Sequence, residues 1–263
     1  MRIRYSLFIL LLLAALVSPA AAQPAETLIV STGGIEMTID KDFASGVSIN
    51  LLPADDPAFG PGFAEPASVQ IAFSNPPPGF ARESILTLRF YRVGDFAGYP
   101  EHEARLAQLR QLVQGQPADL SAFMEADATL SANLRLPFIP VYTHGAALQA
   151  RVEPFETPMF RGVRYVAAFA AALEPFTSTS FLYTYQGISN DSSVYLSAQA
   201  FIETPLFPTE LTAIDPEAFS ASFPQYLADS IAALNAAAPT DFSPGLADVD
   251  AAIQSITVTP VMQ

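Results

Sequence analysis

An α+β fold is predicted: a mostly antiparallel meander sheet covered by a mid-chain helix and C-terminal helices. Three observations carry the prediction. From position 35 onward, apolar and polar residues alternate over short runs, the period of a strand with two different faces. Turn-forming residues separate the later runs so closely that successive strands must lie antiparallel, since a parallel return needs a crossover. The period then changes to three and four between 99 and 113, and again after 215, as it does where a helix lays one stripe on a core.

The chain opens MRIRYSLFILLLLAALVSPAAAQ. Arg2 and Arg4, the apolar run Leu7 to Val17, and the small residues Ala20 to Ala22 follow the grammar of a secretory signal peptide, with cleavage expected after Ala22. A retained anchor is the alternative, but the run is only half of the roughly 20 residues a spanning helix needs. Residues 23–34 read as a short leader and 35–258 as a single α+β domain, with 135–146 as the place where two lobes would meet.

Ile35, Met37 and Ile39 form one row of a first strand; Val47, Ile49 and Leu51 form one row of a second. The stretch 53–68, dense in proline and glycine, reads as a long loop. Val69, Ile71 and Phe73 mark a third strand, NPPPGF a rigid turn, and Leu86, Leu88 and Phe90 a fourth strand. Leu106, Leu109 and Val113 make a helical stripe behind Pro100, and PADLSAFMEAD is expected to form a short second helix. LRLPFIPVYTHG is a proline-broken connector. AALQARVEPF, GVRYVAAFAA, FLYTYQ and VYLSAQAFIE then run as a meander. Asp215 and Pro216 start a helix with the stripe Phe223, Leu227, Ile231 and Leu234, which Pro224 is expected to kink or restart. A last helix, capped by Ser243, carries Leu246, Val249, Ile253 and Ile256.

Composition narrows function. The chain has 263 residues, a formal charge of −14 and no cysteine. Thiol catalysis, cysteine-held metals and a disulfide scaffold are excluded, and an exported protein of this kind reads as bacterial. Nucleic-acid binding requires a cationic surface, and lysine occurs once, at Lys41. No segment after the opening one is long and apolar enough to span a bilayer.

Catalytic motifs are not found. His102 sits where a zinc-protease helix would need a second histidine one turn on, and position 106 is leucine. His144 stands in YTHG with no neighbouring acid. There is no G-x-S-x-G elbow and no phosphate loop. The carboxylate pairs Asp55–Asp56, Glu101/Glu103 and Asp248/Asp250 have no evident shared cleft. No cofactor or metal site is expected. GISNDSS reads as a turn; Ser189, Asn190 and Asp191 offer oxygens to calcium but too few carboxylates, and Asn190-Asp191-Ser192 also fits the glycosylation sequon.

The stretch FLYTYQGISNDSSVYLSAQAFIE places Tyr183 and Tyr185 on one row and Tyr195 after the turn. A structural hairpin accounts for the pattern; a tyrosine-lined face stacking on a glycan or peptide is the functional alternative. Arg151, Arg161 and Arg164 lie on neighbouring strands. They read either as cross-strand ion pairs with Glu153 or Glu156, or as an anchor for an organic anion. These six residues are the candidate ligand-binding set.

GVRYVAAFAAALEPF followed by FLYTYQGISND resembles the signature of an uncharacterised family of exported bacterial proteins, and the ASGV and FSPGLADVDAAIQSI segments are similar to it as well. The likeness implies export and an α+β fold, and no reaction. This chain has Ser192 where the pattern usually carries glycine, which puts a glycine-type turn there in question. DAAIQSI more weakly resembles the end of PsbP-like α/β sandwiches.

The expected function is therefore a secreted or periplasmic, non-catalytic binding or envelope-associated accessory module. A hydrolase with a site built from scattered residues, and a structural envelope component, are the alternatives. An enzyme predicts His144 or His102 beside a carboxylate in a deep pocket. A binding module predicts exposed tyrosines or arginines without acid partners. A structural component predicts an exposed apolar patch.

Overall fold

The computed structural model describes residues 26–58, 63–74, 84–115, 136–142, 146–170, 172–211 and 214–259. The expected signal segment with its cleavage point after Ala22, the turn at 75–80, the short helix over 117–127 and His144 all lie outside them.

The described strands make two antiparallel sheets. A small one has the order β1 (Thr27–Thr32), β2 (Ile35–Asp40), β10 (Thr257–Val258). The large one contains β3 (Gly46–Leu52), β4 (Ser68–Ser74), β5 (Leu86–Arg92), β6 (Ala146–Glu156), β7 (Phe160–Phe169), β8 (Phe181–Ser189) and β9 (Val194–Ile202). Its order is β3-β4-β5-β9-β8-β7-β6. Two meanders are thus joined where β5 pairs with β9, Thr87 opposite Gln199 through Arg92 opposite Val194. The fold is the α+β class with an antiparallel meander sheet that the alternating pattern predicts.

Both faces of the large sheet are covered over its central strands. On one, Phe73, Leu86, Leu88, Phe181, Tyr183, Tyr185, Leu196 and Ala198 pack with α2 (Pro216–Ala236), α3 (Leu246–Gln254) and the small sheet. On the other, Tyr91, Val163, Tyr165, Leu182 and Tyr195 pack with α1 (Pro100–Gly115) and with Leu136, Phe138 and Ile139 of the connector. Strand residues of both parities are therefore buried, which is why β8 is buried along its whole length.

Three local features differ from expectation, and at a fourth position, Pro224, the helix runs on past the proline. The segment expected as a leader contains β1, which pairs along its whole length with β2, Thr27 opposite Asp40 through Thr32 opposite Ile35. Pro224 lies inside α2 without ending it. The carbonyl that loses its donor belongs to Ser220, at an exposed position where water can substitute. Ser243 does not cap α3; Gly245 holds the cap position, and Ser243 exchanges backbone hydrogen bonds with Glu203 at 2.8 and 2.9 Å. Ser192 adopts the left-handed conformation, φ 62°, so the glycine-type turn forms with serine in its place. Asp191 Oδ1 holds that turn, accepting from Ser189 Oγ at 2.6 Å, Ser193 Oγ at 2.7 Å and the Ser193 amide at 3.0 Å. These bonds hold the Asp191 carboxyl below the usual carboxylate range.

Candidate functional site

The tyrosine hairpin is core. Tyr183 and Tyr185 lie on the face that α2 and α3 cover, at 2% and 0% exposure, and Tyr195 is fully buried on the opposite face, which α1 covers. They share no surface, so the expected stacking platform is not what the hairpin presents. The reason is the second layer: helices cover both sides of β8 and β9, and each row of side chains has its own cover. Burial pushes all three phenols above the ordinary tyrosine value.

The motif that carries the family resemblance has a packing role. The Tyr185 ring lies over Gly187, where a Cβ would come within 2.4 Å of the hydroxyl oxygen and 2.5 Å of Cζ. Directly across, Gly162 pairs with Gly187, and a Cβ there would stand 2.1 Å from the Gln186 carbonyl oxygen. Gly187 therefore makes room for the Tyr185 ring, and Gly162 for the close approach of the β8 backbone beside it. Gln186 points the other way and is satisfied by protein atoms. Its Oε1 accepts from Tyr195 Oη at 2.7 Å and the Ile139 amide at 3.1 Å, while its Nε2 donates to Thr184 Oγ1 at 2.9 Å and Ser197 Oγ at 3.0 Å. The Ile139 carbonyl accepts from Ser197 Oγ and from Gln199 Nε2. This buried polar seam fastens the connector to the sheet, with every member paired.

The arginines divide. Arg151 sits at a bulge in β6 with φ 54°. Its guanidinium donates to the Leu234 and Ala237 carbonyls at 2.9 and 2.7 Å and lies 5.5 Å from the Phe242 ring centroid. It caps the C-terminus of α2, where orphan carbonyls and the negative end of the helix dipole favour a cation. Arg164 donates from Nη1 to Asp250 of α3 and from Nη2 to Glu153 at 2.5 Å, over the Phe155 ring at 4.8 Å. Asp250 also accepts from Tyr183 Oη at 2.5 Å. The expected cross-strand pair with Glu153 is present, and Asp250, considered from sequence only as half of a carboxylate pair with Asp248, is a second partner. Its signal was its place one turn after Leu246, on the flank of the buried stripe. Arg151, Arg164 and Tyr183 line a cavity of about 60 Å³ together with Glu153 and Asp250, so its charges are already balanced. Arg161 is exposed on β7, opposite Glu156, and lines no part of it.

A second polar centre joins His102, a residue singled out from sequence, to Glu65, which was not. Glu65, in the loop after β3, accepts from Tyr91 Oη at 2.9 Å and lies 3.2 Å from His102 Nε2. Arg89 Nη1 stands 4.0 Å from that same oxygen, Oε2, and the other oxygen accepts from the Val141 amide at 3.3 Å. His102 thus meets a carboxylate, half of what the enzyme reading requires. The other half, access, is not provided, because the imidazole is 1% exposed and ringed by Tyr91, Phe96 and Tyr99 at 5.4 to 6.2 Å. Glu65 ties the loop to α1, β5 and the connector at once, and its spacing from those partners is too long for any local motif to reveal.

What the surface does present is β3, at the edge of the large sheet. Val47, Ile49 and Leu51 are 39%, 42% and 78% exposed. They stand directly opposite Phe73, Ile71 and Val69, so they continue the core face past the end of its cover. The strand has no charged residue, no proline, and an unbroken register from Gly46–Ser74 to Leu52–Ser68. The opposite edge, β6, is different: it carries Arg151, Glu153, Pro154 and Glu156, has two register shifts, and packs against α2. Bulges, charges, proline and cover are the usual protections of a sheet edge, and among the described residues one edge has them while the other does not.

No protein-family model matches the chain, and no curated protein matches it. Among the described residues no helix is long and apolar enough to cross a membrane, and no group of three or more histidines and carboxylates is placed to hold a metal ion.

Proposed function

We propose that the chain is an exported, envelope-associated accessory module that acts by taking a strand of another polypeptide onto β3. The observation that carries this reading is the bare edge: the exposed apolar row expected of a structural component, Val47, Ile49 and Leu51, is present, but it lies on an uncharged, unbulged edge strand whose main chain can pair with another polypeptide. Main-chain donors and acceptors along such an edge supply affinity, and alternate side chains supply selection. Of glycan, peptide and organic anion, the partners considered from sequence, only a peptide suits it. The tyrosines that would stack on a glycan are buried, and the arginines that would hold an anion cap a helix, pair with acids or, at Arg161, stand opposite Glu156 across the strand pair. The signal-like opening and the resemblance to exported bacterial proteins support the location.

A thermal-shift screen of residues 23–263 against calcium, glycans, organic anions and extended apolar-alternating peptides tests this. A ligand at a hundred times its Kd adds about 2.7 kcal/mol, or roughly 5–10 °C for a chain of this size. The rise is expected with peptides and absent in Ile49→Lys. A rise with glycans or anions alone, or with nothing, overturns the reading.

A further inference from the structure

The strand-docking reading leaves the partner's chemistry open, and the surroundings of β3 narrow it; the inference rests on that reading. Between Glu26 and Gln70 the chain has seven acidic residues, Glu26, Glu36, Asp40, Asp42, Asp55, Asp56 and Glu65, against one basic residue, Lys41. Lys41 is itself paired with Glu26 at 2.9 Å. The acids fall at both ends of the bare strand. Asp40 and Asp42 precede Gly46, Asp55 and Asp56 follow Leu52, and all four are exposed.

One end is also a cleft. Asp40, Asp42 and Asp248 line a cavity of about 280 Å³ whose remaining walls include Ile39, Phe43, Ala251 and Ala252. Apolar walls with carboxylates among them suit a long aliphatic stem that ends in a cation. Asp42 is four residues from Gly46, at most about 14 Å of chain, so a strand lying on β3 would bring its next residues to this cleft.

The same charges disfavour the simplest alternative. A second copy pairing β3 with β3 about a two-fold axis at Ile49 would match Val47 with Leu51 and Ser48 with Asn50, which is favourable. It would also send the Asp42 end of each copy to the Asp55–Asp56 end of the other. Two acid-against-acid contacts would then flank the interface, the arrangement that suppresses a wrong partner.

We propose that β3 receives an extended segment of another protein with alternating apolar residues and a lysine or arginine just beyond its paired stretch, the cation entering the Asp40–Asp42–Asp248 cleft. The test uses one seven-residue alternating apolar peptide with arginine, neutral or glutamate flanks. Binding to residues 23–263 is measured by fluorescence anisotropy. At about 0.01 M salt the arginine-flanked peptide is expected to bind roughly tenfold tighter than the neutral one and the glutamate-flanked one more weakly still. The difference shrinks at about 0.1 M, where the screening length falls from roughly 30 Å to 10 Å. Asp42→Asn with Asp248→Asn removes most of the arginine advantage and leaves the neutral peptide's affinity unchanged. Ile49→Lys abolishes binding of all three, with the circular dichroism spectrum of the folded protein retained.

Equal binding of the three peptides overturns the charge assignment and leaves strand docking standing. Binding to neutral phosphatidylcholine vesicles in place of peptides overturns it in favour of a lipid surface. A free protein that sediments as a dimer and becomes monomeric with Ile49→Lys assigns β3 to a second copy and overturns it. No binding by a monomer, with Ile49→Lys changing nothing, overturns the underlying reading itself.

Discussion

Replacing Asp250 with asparagine probes the joint between α3 and the sheet. Asp250 accepts from Arg164 with one oxygen and from Tyr183 Oη, at 2.5 Å, with the other. Its side chain is 16% exposed and that of Arg164 26%. Breaking a fully buried pair costs about 3–5 kcal/mol and an exposed one about 0–1. This pair lies between those limits. Arg164 keeps Glu153, which lowers the cost, while a charged hydrogen bond to a buried phenol is also lost, which raises it by about 1.5 kcal/mol. The balance is about 2–3 kcal/mol, a fall in Tm of roughly 5–10 °C for a chain of this size.

Thermal and urea unfolding of residues 23–263 measures the change, with Glu153→Gln as the comparison. Glu153 touches the same guanidinium, but its side chain is 49% exposed. Solvent screens that contact, so the expected loss is about 0.5 kcal/mol. A double mutant of Asp250→Asn with Tyr183→Phe is expected to lose about 1 kcal/mol less than the sum of the singles, because both remove one shared bond. If Asp250→Asn shifts the midpoint no more than Glu153→Gln does, burial is not what strengthens this contact, and the argument for α3 as an ion-paired cover fails.

Gly187→Ala forces a methyl group against the Tyr185 ring and is expected to cost about 3 kcal/mol or more in urea unfolding. Adding Tyr185→Leu recovers part of that loss, though Tyr185→Leu alone destabilises; additive losses refute the clash. Glu65→Gln weakens the acceptor shared by Tyr91, His102 and the Val141 amide and is expected to cost about 2 kcal/mol, with faster hydrogen exchange at Val141. Unchanged exchange there would remove Glu65 as the tie between loop and connector. Alkaline titration reads the buried phenols: Tyr91, Tyr165, Tyr183, Tyr185 and Tyr195 are all raised above the ordinary value, first by burial. A raised folded value stabilises fully below the unfolded value of about 10 and is lost as pH rises through and beyond it. Ultraviolet absorbance should therefore show these phenols ionising only together with unfolding. Early ionisation of five phenols without loss of circular dichroism would contradict their burial.

Alternation gave the strands away because β8 and β9 are sorted, row by row, onto two different covers. Tyr183 and Tyr185 go to one helical layer and Tyr195 to the other, and the parity of the positions predicts that separation. The helical stripes of α1, α2 and α3 were legible for the same reason. The contacts that give polar residues their partners were not. Glu65 reaches His102 across 37 positions and Val141 across 76, and Asp250 reaches Arg164 across 86. Nothing local in a loop rich in proline and glycine marks one acid as the hub. The left-handed φ of Arg151, which turns its guanidinium onto the end of α2, is likewise imposed by a bulge whose position depends on the partner strand.

Strand β3 shows the limit most sharply. Val47, Ile49 and Leu51 repeat the pattern of Ile35, Met37 and Ile39 without a flaw, and from sequence the two runs deserve the same reading. Yet the second is exposed at all three positions and the first is buried at all three. Periodicity states which side chains share a face. It does not state what covers that face, because cover is set by the order of strands in the sheet and by where α2 and α3 stop. An apolar row that is regular in sequence and bare in the fold is for that reason the place to look for a contact made outside the chain.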